Sequence, residues 1–192
     1  MTASEVYLAS GSPRRHELLR QIGVMHELVA APVDETRFPT EAPAEYVLRL
    51  AQAKVAAGLA ALHAAGAIVL GADTAVVVDG DVLGKPADRQ EARAILTRLA
   101  GRAHEVLTAV AVTDGSETRT ALSRSTVVFR ETSEAEIEAY VTSGEGDDKA
   151  GAYAIQGRGA VFVVRLEGSY SGVVGLPLCE AASLLLEFGV TF

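Results

Sequence analysis

The stretch from Ala67 to Gly80, AIVLGADTAVVVDG, constrains this chain more than any other. It is an almost unbroken run of Ile, Val, Leu and Ala ending in an Asp-Gly pair, which is the pattern of a buried β-strand, Ala67 to Asp79, that stops at a tight turn. Asp73 stands inside that run. A carboxylate there is costly to bury unless it meets a cation or a metal ion, so GADT, Gly71 to Thr74, reads as a site. LGKP, Leu83 to Pro86, follows the turn, and a hairpin at Asp79-Gly80 is expected to carry Lys85 back near Asp73.

Two further polar islands point to phosphate. LASGSPRR, Leu8 to Arg15, places two serines and two arginines where a strand runs into a helix, in a chain whose formal net charge is -8. The free N–H groups and positive dipole end of a helix favour an anion, Ser10 and Ser12 offer donors, and Arg14 and Arg15 offer planar charged forks. The same octapeptide is also an ordinary helix start, with Ser12 as N-cap and Pro13 in the first helical position. The other island is DKAGAYAIQGRGAVFV, Asp148 to Val163, where small and aromatic residues flank Gln156 and glycines permit close backbone approach to a ligand.

Punctuation along the chain alternates strands and helices without a repeat or linker, so an α/β fold in one domain, residues 1–192, is expected. Strands are expected at Val6 to Ala9 and Glu27 to Ala31, with a helix between them from Pro13 to Ile22 that Gly23 ends. Ala44 to Ala65 reads as one long helix whose core face is Val47, Leu48, Ala51, Val55, Leu59 and Leu62, with Lys54 beside that stripe. Arg89 to Leu99 is a helix closed by Gly101. Glu105 to Val112 and Ala121 to Phe129 form a strand pair around Asp114-Gly115. Ser133 and Glu136 make a capping box for Glu134 to Thr142. Val161 to Leu166 is a strand, and Pro177 to Phe188 a final helix. Cys179, the single cysteine, reads as a small buried core residue rather than a reactive thiol.

Charge excludes one class of partner. With 17 basic against 25 acidic residues, the chain lacks the positive face that a nucleic-acid polymer requires. A mononucleotide triphosphate needs only a local cluster of Arg and Lys with a divalent ion. The absence of a basic-then-apolar leader, and of an uncharged run near the roughly 18 residues that span a bilayer, leads us to expect a cytoplasmic protein with no membrane partner.

Taken together, these motifs resemble the Maf family of nucleoside triphosphate pyrophosphatases almost end to end. The residues that carry the likeness are LASGSPRRHELL from Leu8, VDE at Val33 to Glu35, RLAQAKV at Arg49 to Val55, LGADTAVVVDGDVLGKP at Leu70 to Pro86, HEVLTAVAV at His104 to Val112, DKAGAYAIQG at Asp148 to Gly157, and GSYSGVVGLPL at Gly168 to Leu178. The resemblance implies an elongated mixed β-sheet with flanking helices and two lobes around a cleft, related to the inosine triphosphatase fold. It implies hydrolysis of a nucleoside triphosphate to monophosphate and pyrophosphate, and a homodimer stays open. Asp73 and Glu35 are then the expected holders of Mg²⁺ or Mn²⁺, with Asp73 also the proton acceptor. Lys54, Lys85 and Arg15 neutralise phosphate charge, and Ser10 donates to a phosphate oxygen. Arg14, Thr74 and Gln156 match specificity positions of the members acting on dTTP and UTP, and a glutamine amide matches the N3–H and O4 edge of uracil or thymine. Tyr153 and Tyr170 read equally as packing residues or as rings that stack on a base. Hydrolysis of modified pyrimidine triphosphates, a 7-methylguanosine triphosphate pyrophosphatase, and a binding protein of septum formation are the alternatives.

Overall fold

In the computed structural model, which describes residues 5–62 and 66–192, seven strands pair in the order β2-β1-β3-β5-β6-β7, with β4 on β3. The strands are β1 (Val6–Leu8), β2 (His26–Leu28), β3 (Ile68–Val78), β4 (Asp81–Leu83), β5 (Ala103–Thr113), β6 (Thr118–Phe129) and β7 (Val163–Glu167). The helices are α1 (Pro13–Gln21), α2 (Pro43–Ala61), α3 (Arg89–Leu99), α4 (Glu134–Thr142), α5 (Tyr170–Val174) and α6 (Leu178–Glu187). The fold is α/β and the sheet is mixed: β1 pairs with β2 and β3 in parallel, while β3 with β4 and β6 with β7 are antiparallel.

Contacts within the chain define two units, with boundaries inside β3, β5 and β6. The first comprises residues 1–73, 108–123 and 175–192. Its centre is the β1–β3 pairing, with Leu8, Leu70, Leu50, Val55 and Leu185 almost wholly buried. Two glycines bring α2 close to the strands. A Cβ at Gly58 would lie 3.0 Å from the Ala9 Cβ, and one at Gly71 would lie 3.2 Å from both the Ala51 carbonyl and the Lys54 Cβ. The absence of those side chains sets the helix-to-strand distance.

The second unit comprises residues 74–107 and 124–174. The β3–β4 hairpin turns at Asp79 (φ 53°) and Gly80 (φ 84°), the left-handed pair that a type I′ turn requires. Val76, Ile95, Leu96, Leu99, Phe129, Tyr140, Tyr153 and Phe162 form one core around it. At the start of α4 the Ser133 hydroxyl accepts from Glu136 N–H, and the Glu136 carboxylate accepts from Ser133 N–H at 2.9 Å, the expected capping box.

Several expected elements are corrected. The second strand is His26–Leu28 rather than Glu27 to Ala31, because the chain leaves β1 after Leu28. Residues 158–162 form a 3₁₀ turn instead of opening the strand, so β7 starts at Val163. Helix α5, in the glycine-containing GSYSGVVG, had no periodic signal. Pro177 caps α6 from outside it, and Cys179 in its first turn is exposed, not buried. The expected helix from Ala44 to Ala65 ends at Ala61, because Leu62, expected on its core face, takes extended backbone as the C-cap; residues 63–65 lie outside the described residues.

His104 on β5 is buried, its Nε2 lies 2.9 Å from the Tyr153 hydroxyl, and its Nδ1 has no hydrogen-bond partner among the described residues. Burial lowers its pKa from 6.5 to about 4. The unfolded chain therefore binds the proton that the folded one refuses. The stability this group contributes is present above pH 6.5 and is lost as pH falls towards 4. Its contribution is expected to be smaller at pH 5 than at pH 7 by roughly 2 kcal/mol, so His104→Gln should flatten the urea-midpoint profile between those values. An unchanged slope would assign the acid sensitivity elsewhere.

Candidate active site

Asp73 and Gly71 share one face of β3, two residues apart, and that face meets α2. The buried residues of α2 are Val47, Leu50, Ala51, Lys54, Val55 and Gly58. Lys54 is thus inside the buried stripe, four residues after Leu50 and four before Gly58, and not beside it. Leu48 and Leu59 are only half-buried. Gly71 is what lets Lys54 fit, since a Cβ there would press on the Val55 and Lys54 side chains.

The Lys54 ammonium donates to Asp73 Oδ1 at 2.6 Å and pairs with Glu35 Oε1 at 2.8 Å. The two carboxylates sit in unequal surroundings, with side chains 10% exposed for Asp73 and 51% for Glu35. Burial raises the pKa of Asp73, and Lys54 and Arg15 oppose the rise by charge and hydrogen bonding. The cation that the sequence demanded for Asp73 is therefore Lys54.

Glu35 reaches Lys54 from an irregular loop that is tied to α2. Arg49 donates from Nε to Glu41 Oε1 at 2.6 Å, from Nη2 to Glu41 Oε2 at 2.8 Å, and from Nη2 to the Thr36 carbonyl at 3.1 Å. Its guanidinium also lies 4.3 Å from the centre of the Phe38 ring. The Tyr46 hydroxyl donates to the carbonyl of Glu35 itself at 2.9 Å. RLAQAKV was visible as a motif in the sequence, but the role of Arg49 was not.

At the start of α1, Ser12 occupies the N-cap without a side-chain cap bond. Ser10 instead braces the turn before the helix: its Oγ accepts from Ser12 N–H at 3.1 Å and from Arg15 Nη1 at 3.3 Å. Both acceptor positions of the hydroxyl are used, which leaves its O–H to donate. Arg15 also donates from Nε to the Gly175 carbonyl at 2.7 Å. Desolvation lowers its pKa, and the Asp73 and Glu35 carboxylates oppose that shift. Arg14, beside it on α1, is half-buried.

Ser10, Arg14, Arg15, Glu35, Lys54 and Asp73 belong to the first unit, and Thr74, Lys85 and Gln156 to the second. Thr74 is half-buried on β3 with its side chain on the face opposite Asp73. Lys85 is exposed two residues past β4, and Gln156 is exposed in a turn. Tyr153 is a packing residue, 6% exposed, whereas Tyr170 is 53% exposed. Among the described residues no three His, Cys, Asp or Glu side chains form a metal cluster. Two carboxylates converging on one cation nevertheless fit Mg²⁺, which keeps several waters and takes one or two protein carboxylates beside substrate phosphates.

Residues 5–188 match the family described as Maf-like protein. The chain belongs to the Maf family. Proteins named dTTP/UTP pyrophosphatase resemble it over nearly their whole length. That of Nitrosomonas europaea is 50% identical across 97% of this chain and 95% of its own. The corresponding values are 53%, 95% and 92% for Hahella chejuensis, and 54%, 97% and 95% for Burkholderia pseudomallei. The solved Ham1 protein of Staphylococcus aureus is similar with a TM-score of 0.46 and 15% identity, over 66% of this chain and 72% of that one. No described helix of this Maf protein is long and apolar enough to cross a membrane.

Removing the shared cation tests the site. Lys54→Met leaves Asp73 buried without its donor, and the fold is expected to lose about 3 kcal/mol at pH 7. A carboxyl whose folded pKa is raised keeps full stability below its unfolded value and loses it as pH rises through the folded one. The deficit against wild type in urea unfolding should therefore shrink at pH 5. A deficit equal at both values would show that Asp73 is not the group left exposed to the cost.

Proposed function

We propose that this Maf protein hydrolyses dTTP and UTP to the nucleoside monophosphate and pyrophosphate. The observation that carries the reading is the buried Asp73 held by Lys54, which is shared with the exposed Glu35, in a chain about half identical to dTTP/UTP pyrophosphatases over almost its full length. Water attacks the α phosphorus, the bond from that phosphorus to the α–β bridging oxygen breaks, and pyrophosphate leaves.

Glu35 and Asp73 are the residues that would hold Mg²⁺ or Mn²⁺. Such an ion, when bound, neutralises phosphate charge and lowers the pKa of a bound water. Asp73 accepts the proton of the attacking water, and its raised pKa brings it nearer to neutrality, where a general base is most effective. Lys54, Lys85 and Arg15 take up charge on the phosphates and on departing pyrophosphate. Ser10, with its acceptor positions occupied, donates to a phosphate oxygen. Arg14, Thr74 and Gln156 select the nucleotide, and the Gln156 amide pairs with the pyrimidine edge. On this reading the enzyme works in the cytoplasm on free nucleotides, modified pyrimidine triphosphates included, as a monomer or a homodimer.

A panel of nucleoside triphosphates with Mg²⁺ or Mn²⁺, scored for monophosphate and pyrophosphate, is the direct test. dTTP and UTP should lead. Release of single phosphate would contradict the reading, and faster turnover of 7-methylguanosine triphosphate would replace the substrate. Asp73→Asn is nearly isosteric and should keep the fold while activity falls by on the order of 10² or more. A near-normal rate in that variant would remove Asp73 from the mechanism.

A further inference from the structure

Gln156 stands in a turn just before the 3₁₀ segment 158–162, and the backbone on both sides of it is held by residues at and just past the end of α4. Three residues past that helix, the Glu145 carboxylate accepts from Arg158 N–H through both oxygens, at 2.7 and 2.9 Å. It also lies directly against Gly157: a Cβ there would sit 1.6 Å from Glu145 Oε1. No side chain can follow Gln156 while the carboxylate keeps its place.

On the other side of the turn, the Tyr140 hydroxyl accepts from Ala154 N–H at 3.0 Å. Tyr140 is buried in the core, where burial, aided by the nearby Glu145 carboxylate, pushes its pKa up to about 12. Its O–H therefore stays protonated and polar through the physiological range. Gly157 N–H closes the turn on the Ala154 carbonyl at 3.1 Å. Residues 154, 157 and 158 are thus held, while the Gln156 side chain is exposed between them.

We propose that Glu145, assisted by Tyr140, is the positioning residue for base selection: it holds the backbone of residues 154–158 so that the Gln156 side chain reaches a pyrimidine edge from one fixed point. The inference rests on the reading of Gln156 as the group that pairs with the base. An exposed amide discriminates best when a ligand has to order only its side-chain torsions, and the single bond that closes this turn, from Gly157 N–H to the Ala154 carbonyl, is reinforced on both sides by Tyr140 and Glu145. A carboxylate suits the task because charge-assisted bonds to N–H are stronger than neutral ones. Glu145 takes no part in binding phosphate, so its loss should show in KM and selectivity rather than in kcat.

The test is steady-state kinetics with dTTP, UTP, dATP and dGTP, alongside melting temperatures. Glu145→Ala is expected to raise KM for dTTP and UTP by on the order of 10-fold, to change kcat by less than about 2-fold, and to lower the pyrimidine-over-purine ratio of kcat/KM by on the order of 10-fold. Glu145→Gln retains an acceptor oxygen and should stay within about 3-fold of wild type. Glu145→Asp keeps the charge but withdraws it by one methylene and should resemble Glu145→Ala, which also covers the case of an alanine variant that does not fold. In a Gln156→Ala background, Glu145→Ala should move the ratio by less than about 2-fold, because a positioning residue has nothing left to position.

A melting temperature that drops while the ratio stays at the wild-type value would overturn the proposal, as would one common loss for all four nucleotides. If Gln156→Ala itself left the preference intact, the reading of the base pocket would fail first. If Gln156→Ala changed the preference and neither Glu145→Ala nor Glu145→Asp did, only the role of Glu145 would fall.

Discussion

The hydrogen bond from Lys54 to Asp73, 2.6 Å long with both side chains about nine-tenths buried, is the interaction around which the first unit is arranged. A carboxylate in the interior is tolerated only with a charged partner at contact distance, and a lysine delivered from a helix must approach the strand closely to supply it. Gly71 meets that demand. It removes the one side chain on the Asp73 face that would hold α2 away, and Gly58 does the same one turn further along the helix. The glycine of GADT is thus a packing requirement of the aspartate two residues later. The opposing influences on Asp73, burial raising its pKa and Lys54 and Arg15 lowering it, leave it above the ordinary carboxylate value.

Glu35 completes the group from a different kind of structure. Its loop has no ladder or helix to satisfy its backbone, so the pairing falls to side chains of α2: Arg49 to the Thr36 carbonyl, Tyr46 to the Glu35 carbonyl, and Arg49 again to Glu41. Glu41 in turn accepts from Phe38 N–H, while its own carbonyl accepts from Arg37. Helix α2 therefore provides the buried cation from one side and the anchor of the loop from another. The exposed carboxylate can exchange partners at little cost, while the buried one is held.

Much of this was legible in the sequence where a local rule and the global fold agree. Arg89–Leu99 and Glu134–Thr142 match to the residue, since each has a cap and a periodic face, and the Asp79-Gly80 turn follows from its backbone demand. Asp73 could be found because a charge in an apolar run is conspicuous. Lys54 could be found only through the family likeness, because a periodicity count scores lysine as polar and sets it outside the core face. The serine pair was legible in part: Ser12 holds the N-cap before Pro13 as its type and place imply, but the contact with Arg15 falls to Ser10, and spacing alone does not decide between two hydroxyls. Cys179 departed from its residue type's usual burial because the first turn of α6 turns it outward. Arg49 and Glu145 carry no local signature at all, as each acts on backbone groups 13 residues away in sequence.

That last pair shows how functional loops are kept ordered in this chain. An N–H or C=O in irregular backbone must find a partner outside any ladder, and here a side chain rooted in or beside regular structure takes the place that water would otherwise fill at an exposed group. Around Glu35 the root is α2. Around Gln156 it is the end of α4, with the His104–Tyr153 bond holding the next residue upstream from inside the core. In both places the side chain presented outward is polar and exposed, while the groups beneath it are buried, aromatic or ionised. Flexibility of the exposed side chain is thereby separated from flexibility of its backbone. A ligand then has to order only a few torsions of Glu35 or Gln156, not the loop that carries them.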